Sequence, residues 1–587
     1  MDIREVATGS IQSITFKDGT TVNLGADEIV AIVGPNNSGK SALLREILER
    51  SQNADHVTGQ LRVITDQMTW RKSGDAQSLF NFIAENGSRF MGRTDIFTYK
   101  NHNIDIGATN SFLRDGSFFP IAGLFISMLD TSSRLSLVNS QNSIDFSTQS
   151  ATHPFHYLHQ DLGLMGKLNM WFKRAFGTEL GIDYLAGASI PMYVGPSAAP
   201  IDGEHVTEKS YRDRLRSYDR IESQGDGMKA FAAILMHTLL GQHVVNLIDE
   251  PEAFLHPPHA RLLARILVEN YGVGQLFFAT HSGDFLRGLI ESSGKPLRIL
   301  RITRTGNVGQ VKELSPLALR EAWRDPVLRY SNTLDGIFHE KVVICEGDGD
   351  CRFYGAIADG LRESPTHPYV RDLMFVQSGG KGGATKLIKA LRVLGVSISA
   401  VLDFDILTST GDLRNVIDAL GGNWSDYSQD YNVVRRSIDE LGKVSSESFR
   451  AKLLAIANDI QVGADEIDGR VVSSVKEACK VSIGRDRAKS VGLGILDRTT
   501  RPVGERLLAA FAQLGLYVVP SGELESFVAA EPKDKNEWVA AVLEQYGTVL
   551  ASAQELRQAR EFVASFILPA VPPAVVPQSL PSTGGST

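Results

Sequence analysis

The chain has little cysteine: Cys345, Cys351 and Cys479 in 587 residues are too few and too unevenly spaced for a disulfide framework or a four-ligand zinc site. Basic residues are also short, with 60 lysines and arginines against 68 aspartates and glutamates and a net charge of −8. That balance excludes nucleic-acid binding through overall charge and confines any such contact to a local basic groove or to bound cations. No run of about 18 apolar residues is present to cross a membrane. The opening MDIREVATGS lacks the basic start and apolar stretch of a secretory signal, so a cytoplasmic location is expected. What is present is ordinary globular composition, 43% hydrophobic and 22% charged. The length exceeds what one core supports and predicts roughly two to four domains.

Short β-branched runs mark the sheets. EIVAIV at 28–33 leads through GPNNSGKS into the helical pattern SALLREILER. HVVNLID at 243–249 and QLFFA at 275–279 are two further buried-strand candidates ending in polar residues, at the edge where open parallel sheets place ligands. Far more residues separate the first helix from the second strand than a crossover needs. The stretches IAGLFISMLD and DLGLMGKLNMWFKRAF predict a mainly helical insert over 76–185, between the two parts of the first α/β domain at 1–75 and 186–335. A second α/β domain is expected over 336–568, with strands ending at KVVICEGDGD, at DLMFVQSGGKGG and at ISAVLDFD. The last residues, 569–587, are rich in proline, serine and glycine and are expected to be disordered. No internal repeat is evident.

A GxxxxGKS loop after a strand is a strong nucleotide signal, because its backbone N–H groups wrap phosphates at a helix N-terminus. Gly34, Asn36, Asn37, Ser38 and Gly39 form the cradle, Lys40 is placed to bridge the β- and γ-phosphates, and Ser41 to hold Mg²⁺ together with Asp249. Glu250 is then the candidate general base. DEPEAFLHP from Asp249 and ATHS from Ala279 resemble the ABC-type ATPases of the SMC and RecF kind. That resemblance implies ATP sandwiched between two heads, with His281 contacting the γ-phosphate. It also implies a signature loop from the partner head at SQGDGMKAF, through Ser223, Gly225 and Gly227, although a glycine turn capping the next helix would look much the same.

A second set of residues is acidic. Glu346 ends a strand, Asp350 follows four residues on, and Asp403 and Asp405 end a later strand two residues apart, which puts both on one face. Oxygen ligands without His or Cys suit Mg²⁺ or Mn²⁺, and two such ions can activate water and stabilise the leaving oxygen in phosphodiester cleavage. A strand-ending EG followed by a strand-ending DxD resembles a TOPRIM domain. An ABC-type ATPase with a helical insert, followed by TOPRIM, resembles the OLD (overcoming lysogenization defect) nuclease family, which takes in the Gabija nuclease subunit and retron-associated effectors; the likeness runs over roughly residues 10 to 540. It implies a third acidic element, for which LYVVPSGELESF offers Glu525 in preference to Glu523, and a later lysine, either Lys533 or Lys535. SGGKGGATK is a turn whose amides or Lys381 touch DNA phosphate, or a plain turn. The arginine-rich stretch from Ser210 to Arg220 carries interleaved aspartates and reads as a solvated helix face.

The expected fold class is therefore α/β: an ABC-type (SMC/RecF-like) ATPase domain with an inserted helical dimerisation subdomain, then a TOPRIM domain. The function implied is an ATP-regulated, metal-dependent DNA endonuclease using ATP, one ion with the nucleotide and two in the acidic site. The alternative is a RecF-like DNA-binding ATPase whose TOPRIM domain only docks partners. A topoisomerase needs a tyrosine nucleophile in a separate domain, for which no segment remains. The resemblance also implies a homodimer or higher oligomer, an antiphage role, and a helicase, or a reverse transcriptase with noncoding nucleic acid, as partner.

Overall fold

The computed structural model describes residues 3–567 apart from 53–63, 101, 115–117, 147–148, 150, 202, 241–242, 293, 306–307, 325–331, 364–371, 442–445, 459–468, 479–482 and 531–534. The tail at 569–587, Cys479 and Lys533 lie outside the described residues. The chain divides into two compact units, residues 1–339 with 393–395, and residues 340–392 with 396–587.

The first unit is built on a six-stranded sheet of β1 (Ile29–Val33), β2 (Ile126–Leu129), β3 (Val245–Asp249), β4 (Gln275–Ala279), β5 (Leu297–Thr305) and β6 (Val308–Leu314), in the order β6-β5-β1-β4-β3-β2. All neighbours are parallel except the β5–β6 hairpin. Every residue of β1, β3 and β4 is buried, which is why these strands read as unbroken apolar runs rather than as alternating ones. Alternate residues, Val30, Ile32, Val245, Leu247 and Phe277, belong to one core with Leu43, Leu44 and Ile47 of helix α1 (Lys40–Gln52). The same core takes in Ile11, Ile14 and Phe16 from an antiparallel sheet of Ala7–Phe16, Thr21–Asn23 and Thr65–Gly74.

The segment read as a helical insert differs from that reading. Its helices Ala76–Asn86, Ile106–Arg114, Thr131–Ser136, Pro154–Gln160 and Leu162–Phe176 alternate with short strands, and β2 joins the central sheet beside β3. Leu79, Phe112, Phe118 and Phe125 lie in the same core as the nucleotide-loop helix, with Phe112 stacked on Phe125 at 4.4 Å. The run IAGLFISMLD misleads because a short apolar stretch has no period of its own: it forms a 3₁₀ turn at Ala122–Leu124 and then β2. Leu162–Phe176, in contrast, is the helix its pattern predicts. Asp161 caps it by accepting the Gly163 N–H, and Gly177 ends it in a left-handed conformation.

The second unit has a four-stranded parallel sheet of β7 (Lys341–Cys345), β8 (Leu373–Gln377), β9 (Ser397–Leu402) and β10 (Leu516–Val518), ordered β8-β7-β9-β10. Among the described residues, the chain between β9 and β10 is mainly helical, from Thr410–Leu420 to Arg501–Leu514. Helix α2 (Asp348–Glu363) shares a core with α3 (Lys535–Tyr546) and α4 (Arg557–Ile567), through Phe353, Tyr354, Ile357, Trp538, Val542 and Phe566. Trp538 is anchored by donating its ring N–H to the Val528 carbonyl at 3.2 Å, which settles the start of α3.

Candidate functional site

In the first unit the strand register sets the nucleotide loop. Asp249 is level with Ala279, and Ala279 with Ile32, so the ends of β3, β4 and β1 meet at one sheet edge. The loop leaves β1 with Gly34, Asn37 and Gly39 at left-handed φ. Lys40 Nζ donates to the carbonyls of Gly34 (3.0 Å) and Pro35 (2.9 Å), folding over the turn it follows. Burial lowers the Lys40 pKa, and the facing carboxylates of Glu250, Glu252 and Asp249 oppose that shift. Ser41 Oγ donates to Asp249 Oδ1 at 2.8 Å, so the two candidate Mg²⁺ ligands touch. Burial pushes the Asp249 carboxyl up, against the Ser41 hydrogen bond.

Glu250 turns out of β3 with a φ of 48°, which costs a non-glycine residue about 1 kcal/mol or more. Its N–H donates to the Ala279 carbonyl at 2.8 Å. His281 Nδ1 lies 3.7 Å from Glu250 Oε1 and 3.3 Å from Glu252 Oε1. Two residues that the sequence reading missed organise this corner. Glu252 is buried and accepts from Thr280 Oγ1 (2.8 Å) and the His281 N–H (2.9 Å), fixing the His281 backbone. Arg134, fully buried, donates to the carbonyls of Asp249 and Glu250. Glu252 sits in a turn sequence where glutamates are commonly exposed, and Arg134 in TSSRLS carries no sequence signal.

Ser223, Gly225 and Gly227 stand at the N-terminus of helix Asp226–Leu240. Ser223 Oγ donates to the Arg220 carbonyl (2.7 Å), and the Gly225 carbonyl accepts the Met228 N–H. A Cβ on Gly227 would meet the Phe254 carbonyl at 2.8 Å, so close packing alone requires that glycine. In the arginine-rich stretch the partners are not the interleaved aspartates: Arg212 and Arg216 pair with buried Asp183, and Arg214 with Glu204.

In the second unit the parallel register brings the acids together. Cys345 is level with Val401, so the residues following β7 and β9 emerge side by side, and the Asp403 N–H donates to Glu346 Oε1 at 3.1 Å. Carboxylate oxygens of Glu346, Asp403 and Asp405 lie within 4.8 Å of one another. The route differs from strand alternation, because β9 ends at Leu402 and a 3₁₀ turn over Phe404–Thr408 swings Asp405 back beside Asp403. Asp350 is outside this triad. It accepts the Gly347 N–H at 2.9 Å and pairs with Lys535 Nζ at 2.8 Å. Glu525 is carried by a loop tied to the strand ends, where Val519 N–H donates to the Leu402 carbonyl and Phe404 N–H to that of Gly522.

Three lysines face six acids here. Lys535 touches Asp350 and lies 4.0 Å from Asp403, Lys381 is 2.7 Å from Asp405, and Lys489 is 3.3 Å from Glu523. Lys381, which opens the helix Lys381–Val393 after the glycine turn that follows β8, is therefore part of the acidic cluster, and the sequence reading gave Lys489 no place in it. Burial pushes Asp403 up to about 8, with Lys535 opposing and Glu346 and Asp350 adding to the shift. Burial also raises Glu346 and Glu525. Burial alone would lower Lys535, but Asp403 and Asp350 outweigh it and raise its pKa. Glu525 Oε2 is buried without a hydrogen-bond partner among the described residues. An all-oxygen donor set of three carboxylates within 4.8 Å, two of them buried, and an orphaned buried oxygen on Glu525 together fit a hard divalent cation.

Two family models match parts of the chain. Residues 201–287 match the family described as "AAA domain, putative AbiEii toxin, Type IV TA system", a span holding Asp249, Glu250 and His281. Residues 337–405 match the "Overcoming lysogenization defect protein-like, TOPRIM domain", a span holding Glu346, Asp350, Asp403 and Asp405. No curated protein matches. Among solved structures, an SmcHead bound to the C-winged helix domain of ScpA is 12% identical at a TM-score of 0.32, covering 52% of this chain and 98% of its own. An Smc head from Pyrococcus furiosus is 10% identical at 0.31, covering 54% and 100%. The SMC head domain from Thermotoga maritima is 13% identical at 0.28, covering 53% and 99%.

Proposed function

Starting from a chain that is an ATPase–TOPRIM fusion of the OLD family, we propose that it is an ATP-regulated, divalent-metal-dependent DNA endonuclease that nicks or cuts duplex DNA. The observation that carries this reading is the convergence of Glu346, Asp403 and Asp405 within 4.8 Å at one sheet edge. Glu346, Asp403, Asp405 and Glu525 are the residues that would hold divalent ions, with Asp350 close by. Bound there, such ions supply a hydroxide nucleophile and charge neutralisation at the phosphate. The chain's own residues do the rest: the Asp403 amide orients Glu346, and Lys535 holds Asp350 while offering positive charge for the developing phosphorane.

In the ATPase unit Lys40 binds the β- and γ-phosphates, Ser41 and Asp249 share the nucleotide's Mg²⁺, and Glu250 takes a proton from the attacking water. His281 reads the γ-phosphate, and Ser223, Gly225 and Gly227 reach the site of a partner head in a homodimer. This arrangement makes the ATP state a control on cleavage, and a role in antiphage defence with a helicase or reverse-transcriptase partner follows from the family reading.

Plasmid cleavage across Mg²⁺, Mn²⁺ and ATP concentrations, with wild type, Lys40→Ala and Glu346→Ala, tests the proposal. Glu346→Ala is expected to abolish cleavage at every metal concentration. Lys40→Ala is expected to leave the acidic site intact and abolish only the response to ATP. Undiminished cutting by Glu346→Ala would overturn the assignment of the nuclease site.

A further inference from the structure

We propose that Arg134 is a positioning residue for ATP hydrolysis, holding the Asp249–Glu250 backbone so that the Glu250 carboxylate faces the attacking water. The inference rests on the reading of Glu250 as the general base. Arg134 lies on the helix Thr131–Ser136, which follows β2, the strand paired with β3. Asp130 caps that helix by accepting the Ser133 N–H at 2.7 Å, and Ser133 Oγ reciprocates on the Asp130 backbone. The side chain is fully buried; Nη1 donates to the Glu250 carbonyl at 2.9 Å and Nη2 to that of Asp249.

The chemistry of the pair explains why an arginine stands there. Two consecutive carbonyls are held by two different nitrogens of one rigid guanidinium plane, whereas a lysine ammonium, which can also reach two carbonyls as Lys40 does, donates from a single nitrogen on a flexible stem and fixes their relative orientation less firmly. Burying a guanidinium costs more than burying an apolar side chain of the same size, so packing alone does not account for it. Its environment is acidic: the charges of Glu252, Asp249, Glu250 and Asp130 all act on Arg134. The residue it holds is also one in need of holding. Glu250 sits at a φ of 48°, and with its N–H on the Ala279 carbonyl and its own carbonyl on Arg134 it is pinned on both sides. A relaxed backbone would free the Glu250 carboxylate to turn, whereas the Asp249 side chain stays tied to Ser41 Oγ and Lys40 to the Gly34 and Pro35 carbonyls. The segment between residues 76 and 185 thereby fixes the hydrolytic residue directly.

The experiment compares full-length wild type, Arg134→Lys, Arg134→Gln, Glu250→Gln and the Arg134→Lys/Glu250→Gln double variant. It measures steady-state kcat and KM for ATP, affinity for a fluorescent ATP analogue, and thermal melting. Arg134→Lys is expected to bind nucleotide and to show KM within about three-fold of wild type while kcat falls at least about ten-fold. In the Glu250→Gln background the same change is expected to cost nothing further. An unchanged kcat in Arg134→Lys, an equal additional loss on top of Glu250→Gln, or a fall in kcat matched by a fall in ATP affinity in every folded variant would overturn the inference. Wild type that binds ATP without hydrolysing it, or Glu250→Gln that hydrolyses at the wild-type rate, would instead overturn the reading of Glu250 and this inference with it.

Discussion

Lys535 Nζ stands 2.8 Å from Asp350 Oδ1 and 4.0 Å from Asp403 Oδ2, so one ammonium at the start of α3 joins a carboxylate in the first turn of α2 to one that follows β9. Both acids are almost fully buried, and the lysine keeps 30% of its side chain exposed. Lys535→Met is expected to destabilise the second unit by on the order of 2 kcal/mol, less than a fully buried pair loses, and to lower DNA cleavage by about 100-fold or more. Lys535→Arg should recover most of the stability. Denaturant melts beside plasmid cleavage check both; a Met variant that cuts at the wild-type rate would remove Lys535 from the chemistry.

The raised pKa of Asp403 gives metal binding a pH dependence. Burial holds this carboxyl protonated up to about pH 8, so below that pH a cation must displace a proton to use it as a ligand. Mn²⁺ affinity is therefore expected to climb as pH rises toward 8 and to level off above it. Calorimetry in buffers of different ionisation enthalpy should record proton release near pH 7, absent in Asp403→Asn. Affinity that stays flat between pH 6 and 9 would contradict this assignment.

The strand ends were legible in the sequence because parallel strands buried on both faces must be continuously apolar, and Val33, Asp249, Cys345 and Leu402 lie at the ends of such runs or next to them. Together with the GxxxxGKS, DE, EG and DxD patterns at those ends, that made Lys40, Ser41, Asp249, Glu346 and Asp403 readable as candidates. Lys489 and Arg134 were not, because a cation reaching a site from a separately folded helix leaves no spacing to count. Asp405 was found for the wrong reason: alternation placed it on one face with Asp403, whereas a 3₁₀ turn does so. β2 was hidden in an apolar run too short to show whether its period was that of a helix or a strand.

Gly522 is where the Glu525 loop meets the helix carrying Lys489. Its φ is 114°, and an added Cβ would lie 2.2 Å from the Lys489 carbonyl. Its own carbonyl accepts the Phe404 N–H at 2.7 Å, between Asp403 and Asp405. Gly522→Ala must therefore shift either the Glu525 loop or the Lys489 helix, and both border the acids. Cleavage is expected to fall at least about ten-fold while ATP binding stays at the wild-type level. Cleavage at full rate would contradict the coupling of Gly522 to the acidic site.

His153 supplies a separate pH dependence, one of folding rather than of cleavage. It caps helix Pro154–Gln160 by accepting the Phe155 N–H on Nδ1 at 3.2 Å, which requires the neutral ring. Burial, with the nearby His156, lowers its pKa from 6.5 to about 4. The unfolded chain then binds a proton more readily than the folded one between those values, so this stability is complete above pH 6.5 and is lost as pH falls toward 4. The full loss is on the order of 2 to 3 kcal/mol. His153→Asn keeps a capping acceptor that does not titrate. Its thermal midpoint is expected to fall less than that of wild type between pH 7 and 4.5, and identical slopes for the two proteins would rule out His153 as the titrating group.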